Sequence, residues 1–298
     1  MAPRFGVVGT AHWARHVHLP GLLDAGADVV GIWGRNAAVA REIAAEKGVR
    51  AFASFEDLLA SCDALTMAVP PDVQAGLALQ AARAGRHMIV EKPLSRDLTS
   101  ARLIEKEVTE NRLVALVFFM RRFIPEIAAM IERESGHAWT KALVRVHSGA
   151  MAGAGPYANS QWRREPGAAL WDIAPHVLSV LIPMLGEVEA VEAEAETGGV
   201  TRLKTWHRRG GTADISVSLQ SKPEDIANSY RFVSPTRSIS LPEPEFSRSR
   251  VFGHAVGALS EAIRSGRRDL PCGVALGREV VDWLQKAELS QKHDQKVV

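Results

Sequence analysis

The alternation of short apolar runs with helix-forming segments over residues 5–118 is the feature that most limits how this chain can fold. Runs rich in Val, Ile, Leu and Met are typical of strands that are buried on both faces. Strands that alternate with helices predict a parallel sheet joined by right-handed crossovers. Six strands are expected, at residues 5–9, 28–33, 50–52, 64–69, 88–90 and 113–118.

From residue 141 the apolar period shortens toward two, the spacing of half-buried strands. The clearest strand covers residues 142–147, and further ones are expected at residues 189–196, 201–207, 213–219 and 229–233. Paired glycines at 198–199 and 210–211 favour turns between antiparallel neighbours. The sequence therefore predicts an α/β protein with a doubly wound parallel domain over residues 1–119 and a second domain over residues 120–298.

Small residues at positions 9, 11 and 14, directly after the first strand, have the spacing of a dinucleotide-binding turn. Glycine permits a tight turn there, and the N–H groups that open the next helix can face a pyrophosphate. A strand-to-helix turn that binds no ligand has a similar sequence, so both interpretations stand. The cofactor-binding candidates are Gly9, Thr10, Ala11, His12 and Trp13.

The segment Gly34-Arg35-Asn36 follows the second strand, where an acidic residue would bind the ribose hydroxyls of NAD. No carboxylate stands there. The planar guanidinium of Arg35 suits a 2′-phosphate and stacking on adenine, which favours NADP, with NAD as the alternative. The competing interpretation makes Arg35 a solvated loop residue and Asn36 the N-cap of a helix over residues 37–47.

Two further strand ends carry candidate residues at the same predicted edge of the sheet. Val69 and Pro70 follow the fourth strand, and Glu91 and Lys92 follow the fifth, directly before a proline. Burial of a strand end removes water from an ammonium group, which suits Lys92 as a proton donor or an electrostatic anchor for a developing alkoxide. A surface lysine at a strand end is the alternative, and the sequence leaves the isomer of the Lys92–Pro93 bond open.

Composition excludes several classes of function. Lys and Arg number 36 against 34 Asp and Glu, so no basic surface for nucleic acid is expected. Cys62 and Cys272 offer neither a disulfide framework nor a cysteine metal site. His12, His16 and His18 lack an accompanying ligand cluster, so no metal is predicted. No signal peptide or membrane-spanning run is expected, which favours a cytoplasmic protein with no membrane partner.

The stretch from Gly167 to His176 contains a second group of candidate catalytic residues. If it is helical throughout, Asp172 and His176 share a face, and the carboxylate can orient the imidazole. Pro175 favours a first turn instead, which would make Asp172 an N-cap and His176 a core residue. On the residues alone, the N-cap interpretation is preferred.

Residues 148–166 form a long segment rich in Gly, Ala, Asn and Pro, as in a lid or a substrate-binding loop. Aromatic rings stack on sugar faces, and arginines bind hydroxyls or carboxylates. A long loop also needs such side chains to hold itself in place, and the two interpretations are equally supported. The substrate-binding candidates are Tyr157, Trp162 and Arg163.

The order of these motifs resembles that of the Gfo/Idh/MocA oxidoreductases, which include glucose-fructose oxidoreductase and inositol dehydrogenase. The resemblance covers essentially the whole chain and rests on Gly9, His18-Leu19-Pro20, Val69-Pro70, Glu91-Lys92-Pro93, Arg122-Phe123 with Pro125, and Asp172 with His176. It implies a Rossmann domain followed by an α/β domain with a large, mostly antiparallel sheet that often forms the oligomer interface. It also makes Lys92, Asp172 and His176 the catalytic positions, and so reverses the preference for an N-cap at Asp172.

Three positions depart from the family pattern and put recognition of substrate hydroxyls in doubt. Gln74 stands where His is frequent, Gly167-Ala168-Ala169 thins a glycine-rich run, and Ser179 stands where an acidic residue is frequent. The resemblance still implies hydride transfer between NAD or NADP and a sugar, polyol or related carbonyl compound, with NADP preferred because of Arg35, and a homodimer or homotetramer is expected. A non-catalytic nucleotide sensor or assembly subunit is the alternative. We expect Lys92 and His176 to face one cleft.

Overall fold

The computed structural model describes residues 2–152, 157, 160–165, 167–196 and 198–298. The chain divides into two compact units, and each unit is built from two segments. The first unit consists of Met1–Ile124 and Phe246–Val281, and the second consists of Pro125–Glu245 and Asp282–Val298.

A parallel five-stranded sheet with the order β2-β1-β3-β4-β5 forms the centre of the first unit. Its strands are β1 (Arg4–Val8), β2 (Asp28–Trp33), β3 (Ala64–Met67), β4 (His87–Glu91) and β5 (Ala115–Phe118). The connecting helices are α1 (Leu19–Asp24), preceded by a π-helical stretch (Ala14–His18), then α2 (Ala37–Lys47), α3 (Phe55–Ser61), α4 (Pro71–Arg83) and α5 (Leu98–Glu110). The predicted Rossmann architecture is confirmed.

Local capping explains where several of these helices begin. The Ser54 hydroxyl accepts a hydrogen bond from the Asp57 N–H at 3.0 Å, and the Asp97 carboxylate accepts one from the Ser100 N–H at 2.7 Å. Both side chains satisfy N–H groups that have no partner within the helix. Each cap and the N–H group that it binds are three residues apart, so these helix starts are set by local sequence.

The expected strand at residues 50–52 is wrong. Only Ala51 forms an isolated bridge, to Ile32 at the edge strand β2, with backbone hydrogen bonds from the Ile32 N–H to the Arg50 oxygen and from the Phe52 N–H to the Ile32 oxygen. A single bridge at a sheet edge does not extend into a ladder. The sheet therefore has five strands among the described residues, rather than six.

The units also depart from a contiguous division at residue 119, because a late segment packs with the first unit. Helix α8 (Arg248–Ser265) contacts α1 so closely that a Cβ on Gly21 would lie 2.5 Å from the Ser249 oxygen. The Phe252 ring stacks on the His18 ring with centroids 4.0 Å apart. Periodicity predicts an apolar helix face, but it does not say which unit covers that face.

The second unit contains a six-stranded sheet with the order β11-β10-β6-β9-β8-β7. All its neighbouring pairs are antiparallel except β6 with β9, which confirms a mostly antiparallel sheet. The strands are β6 (Lys141–His147), β7 (Val188–Ala195), β8 (Val200–His207), β9 (Thr212–Ser218), β10 (Ala227–Val233) and β11 (Ser238–Ser240). The helices are α6 (Pro125–Glu134), α7 (Ala168–Leu185) and α9 (Val274–His293), which begins in the first unit.

Helix α7 differs from the expectation that no apolar run approaches membrane-spanning length. Among the described residues, it is the one helix that is long and apolar enough to cross a membrane, judged by length and composition alone. Of its residues, 83% are buried in the protein, as in the core helix of a folded domain. Burial on all sides explains why α7 is apolar around most of its circumference.

Candidate active site

The cofactor-binding candidates lie at the carboxyl ends of four neighbouring strands of the first unit, β2, β1, β3 and β4. In parallel sheets, ligands bind beyond this edge. The structure thus brings the predicted positions to one edge of the sheet: Gly9, Thr10, Ala11, His12 and Trp13 after β1, Gly34, Arg35 and Asn36 after β2, Val69 and Pro70 after β3, and Glu91 and Lys92 at β4.

The turn after β1 is so tightly packed that it requires glycine. Gly9 has a φ of +118°, its N–H donates to the Trp33 oxygen at 2.8 Å, and a Cβ there would overlap the backbone oxygen of Ala68. A Cβ on Gly34 would lie 2.6 Å from the Thr10 methyl carbon. A helix begins directly at this turn, so a glycine cradle meets a helix amino terminus, and that combination fits a dinucleotide pyrophosphate.

Arg35 and Asn36 take different roles after β2. Asn36 is the N-cap of α2, because its side-chain oxygen accepts hydrogen bonds from the N–H groups of Ala38 and Val39, both at 3.2 Å. The Arg35 side chain is exposed and makes no ion pair with the residues that the structure describes. Arg35 is therefore the residue of this pair whose polar group can contact a ligand.

Lys92 lies directly after β4 and is only 9% exposed, and the Lys92–Pro93 peptide bond is cis. The lysine is thus not a freely solvated surface residue. An ammonium group at a mostly buried position has a stronger electrostatic effect on a neighbouring oxygen than one in bulk water.

The Glu91 carboxylate faces into the first unit. Its Oε1 atom lies 3.1 Å from Nε2 of His18, a residue that is fully buried beneath the stacked Phe252 ring. His18 is therefore an interior residue of the first unit, in contact with both Glu91 and Phe252. The sequence gives no signal for this pairing, since the two partners are 73 residues apart.

Gln74 makes a set of hydrogen bonds that the sequence did not indicate. Its side chain is fully buried and contacts the Glu91–Leu94 turn instead of solvent. The side-chain nitrogen donates to the backbone oxygens of Glu91 at 2.7 Å, Pro93 at 2.9 Å and Leu94 at 3.3 Å. The side-chain oxygen accepts from the Glu91 N–H at 2.9 Å.

Asp172 and His176 lie in the interior of α7, which corrects the N-cap interpretation of Asp172. The N-cap is Gly167, with a φ of +79°, and Pro175 stands inside the helix. A proline in a helix interior removes one backbone hydrogen bond, a cost that the surrounding packing of this buried helix offsets. Asp172 is 8% exposed, and His176, four residues later, is partly buried.

The Asp172 carboxylate forms a two-pronged ion pair with Arg163. The distances are 2.7 Å from Nε to Oδ2 and 3.3 Å from Nη2 to Oδ1. The guanidinium carbon also lies 4.3 Å from the centroid of the Trp162 ring and 4.4 Å from that of Tyr157. Arg163 therefore contacts both of the other substrate-binding candidates, and its ion pair joins it to α7.

Ser179 is fully buried, and its hydroxyl donates to the His176 backbone oxygen at 2.8 Å.

Burial raises the pKa of the Cys62 and Cys272 thiols to about 11, so neither is a thiolate nucleophile at neutral pH. The predicted catalytic residues are thus Lys92 in the first unit and Asp172 with His176 in the second.

Comparison with known families gives a match over the first domain. Residues 3–119 match the Gfo/Idh/MocA model, an oxidoreductase family with an NAD-binding Rossmann fold. UDP-N-acetylglucosamine 3-dehydrogenase of Acidithiobacillus ferrooxidans is 33% identical over 125 residues, which are 42% of this chain and 39% of that protein. Inositol 2-dehydrogenase of Rhizobium meliloti strain 1021 is 29% identical over 238 residues, which are 78% and 70% of the two chains.

The matched part of this chain thus spans well under two thirds of the first of these relatives. Solved structures match over nearly all of the chain. A levoglucosan dehydrogenase in complex with NADH and levoglucosan has a TM-score of 0.84 at 17% identity, covering 99% of this chain and 98% of that one. The WlbA dehydrogenase of Bordetella pertussis, in complex with NADH and UDP-GlcNAcA, has a TM-score of 0.83 at 20% identity, covering 100% and 98%. At these identities the likeness shows the two-domain fold.

Proposed function

Because residues 3–119 match the Gfo/Idh/MocA oxidoreductase model, we propose that the chain is a member of this family and an NAD(P)-dependent dehydrogenase acting on a CH–OH group of a sugar, a polyol or a related alcohol or carbonyl compound. The observation that carries this proposal is the arrangement at the edge of the parallel sheet. There the glycine-lined cradle at Gly9 and Gly34 lies at the ends of β1 and β2, and the nearly buried Lys92 lies at the end of β4.

The residues present fit a dinucleotide. The glycine turn and the helix that follows it would hold the pyrophosphate, and Arg35 would reach the adenosine ribose. The loop at Val69 and Pro70, after β3, would line the same edge. When bound, the nicotinamide supplies or accepts the hydride.

The chain's own residues supply position, charge and a proton path. In the proposed mechanism the Lys92 ammonium hydrogen-bonds the reacting oxygen and stabilises negative charge that develops on it. His176 exchanges the proton of that oxygen, and Asp172 assists its orientation from the same helix. The pairing of Asp172 with Arg163 supports an orienting role over a proton-transfer role, because both carboxylate oxygens already accept hydrogen bonds.

We expect a panel of sugars and polyols to contain a substrate. The panel should include levoglucosan, myo-inositol and a UDP-N-acetyl sugar, because the dehydrogenases that this chain resembles include enzymes named for these compounds. The measurement is the absorbance of reduced nicotinamide after mixing each compound with protein and cofactor. Cofactor binding with no turnover on any member, in either direction, would instead favour the nucleotide sensor.

We further propose that NADP is preferred over NAD, since no carboxylate follows β2 and Arg35 is exposed there. Replacing Arg35 with alanine is expected to weaken NADP binding about tenfold or more, because a charge-assisted hydrogen bond contributes about 1.5–3 kcal/mol. NAD binding should change little. Fluorescence titration with both nucleotides measures this, and Arg41→Ala in the exposed part of α2 is the matched control.

NAD is the competing cofactor. The levoglucosan dehydrogenase and WlbA structures contain NADH, and a structure of GenD2 from gentamicin A biosynthesis contains NAD. If the unaltered protein binds NAD more tightly than NADP, then Arg35 is a solvated loop residue and the NADP preference is refuted.

Assembly and location complete the proposal. One exposed row of the six-stranded sheet runs across Arg231, the exposed Leu143, Asp214, Lys204 and Glu192, and so carries both signs of charge beside an apolar side chain. Such a sheet face suits the interface of a homodimer or homotetramer, in which the same surface meets its copy. Two buried, reduced cysteines and the absence of a disulfide among the described residues suit the cytoplasm.

A further inference from the structure

We propose that Gln74 is a positioning residue that fixes the turn from which Lys92 projects and links that turn to the cofactor loop after β3. This inference rests on the proposed function, because it assigns Gln74 to the support of the proposed catalytic lysine. Gln74 itself contacts backbone groups and is not proposed to contact the substrate.

The hydrogen bonds carry the inference. A primary amide has two N–H donors and one acceptor oxygen. In Gln74 the donors face three backbone oxygens, of Glu91, Pro93 and Leu94, while the acceptor receives the Glu91 N–H. This pattern also fixes which end of the amide is nitrogen. Three of the four residues in the turn are thus held by one side chain, and Lys92 lies between the held positions.

A second contact holds the turn from another side. The Glu91 carboxylate lies 3.1 Å from the buried His18 ring through Oε1, and its Oε2 atom lies 3.3 Å from the Lys92 N–H. The backbone on both sides of Lys92 is therefore restrained. With the backbone fixed, only side-chain rotation remains to move the ammonium group.

The position of Gln74 on α4 provides the link to the cofactor loop. Helix α4 begins at Pro71, directly after Val69 and Pro70, and the Gln74 N–H donates to the Pro70 oxygen at 3.0 Å. One residue therefore bonds to Pro70 through its backbone and to the Lys92 turn through its side chain. A shift of either loop would strain the bonds to the other.

Other residue types cannot make this set of bonds. Methionine has the same length but leaves several buried backbone groups without a partner, and glutamate places acceptor oxygens against backbone oxygens. A neutral histidine offers one donor and one acceptor. Asparagine keeps the amide but is shorter by one methylene, so it reaches only part of the set.

The test measures the reactivity of Lys92 directly. Reductive methylation of Lys92 over a range of pH, quantified by peptide mass spectrometry, reports the access and basicity of its amine without requiring turnover. We expect Gln74→Met to shift the Lys92 labelling profile and to lower kcat between about 10- and 100-fold, the size of effect that a small misplacement causes. KM and cofactor affinity should change little by comparison. The matched control is Gln80→Met, an exposed glutamine of the same helix, which should match the unaltered protein.

The outcomes separate this inference from the proposed function. A Lys92 labelling profile in Gln74→Met that equals that of the unaltered protein overturns the positioning role. If no substrate is turned over but the profile still shifts, the positioning role stands and the dehydrogenase proposal fails. Should Gln74→Met not fold, Gln74→Asn is measured instead. An intermediate shift supports the inference, and an unchanged profile contradicts it.

Discussion

Replacing Lys92 with methionine is expected to abolish hydride transfer while leaving cofactor binding nearly intact. Methionine fills a similar volume at this 9%-exposed position, but it offers neither a hydrogen-bond donor nor a positive charge. The reacting oxygen would then develop its charge without a partner. Since loss of one hydrogen-bond donor to a developing oxyanion costs about 10²- to 10³-fold, we expect turnover to fall by at least about 100-fold.

Single-turnover kinetics and nucleotide titration on the same protein samples separate the chemical step from binding. Lys106→Met is the matched control, because Lys106 lies on α5 and its side chain is 62% exposed. Turnover in Lys92→Met that equals that of the control would remove Lys92 from the mechanism. Loss of nucleotide affinity together with turnover would instead place Lys92 in cofactor binding alone.

The parts of the fold that the sequence predicted are those set by local signals. The Asn36 cap of α2 and the end of β4 at Glu91 each depend on residues within a few positions of one another. Buried parallel strands are continuous apolar runs, so the sequence also indicates where along the chain they lie. The carboxyl ends of such strands meet at one edge of the sheet, and the sequence alone therefore places the candidate residues of the first unit together.

The parts that the sequence did not predict depend on contacts between distant segments. Gln74 and Glu91 are 17 residues apart, and nothing in their local sequence indicates that an amide at one holds the backbone at the other. The packing of α8 against the first unit has the same origin. The N-cap interpretation of Asp172 failed for a related reason. It rested on Pro175, but the packing of α7 accommodates a proline in the helix interior that propensity alone would exclude.

The sequence likewise did not predict the pairing of Arg163 with Asp172, although both were candidate site residues. It indicated a separate role for each, substrate binding for Arg163 and catalysis for Asp172. The structure combines them, because the guanidinium that stacks on the aromatic rings also occupies both carboxylate oxygens. The aromatic residues therefore hold their own segment in place, which favours the anchoring interpretation over direct stacking on a sugar.

Replacing Arg163 with methionine should consequently lower the free energy of unfolding more than the other substitutions discussed above. The two side chains are 15% and 10% exposed, so the substitution leaves a mostly buried carboxylate without its cation. We expect the free energy of unfolding to fall by about 3 kcal/mol, the lower end of what breaking a buried pair costs. Urea unfolding followed by tryptophan fluorescence measures this, with Arg102→Met on the exposed side of α5 as the control, expected within about 0.5 kcal/mol of the unaltered protein.

Adding Asp172→Asn to Arg163→Met distinguishes an ion pair from mere packing. The double variant removes the uncompensated charge, so it should be less destabilised than the sum of the two single variants, with a coupling energy of at least about 1 kcal/mol. Additive losses would mean that Arg163 contributes through its contacts with Trp162 and Tyr157 alone. Because Asp172 is also the proposed orienting group for His176, coupling should appear in kcat as well.

Arg163→Lys, which keeps the charge but loses the two-pronged geometry, should recover part of the stability and less of the turnover.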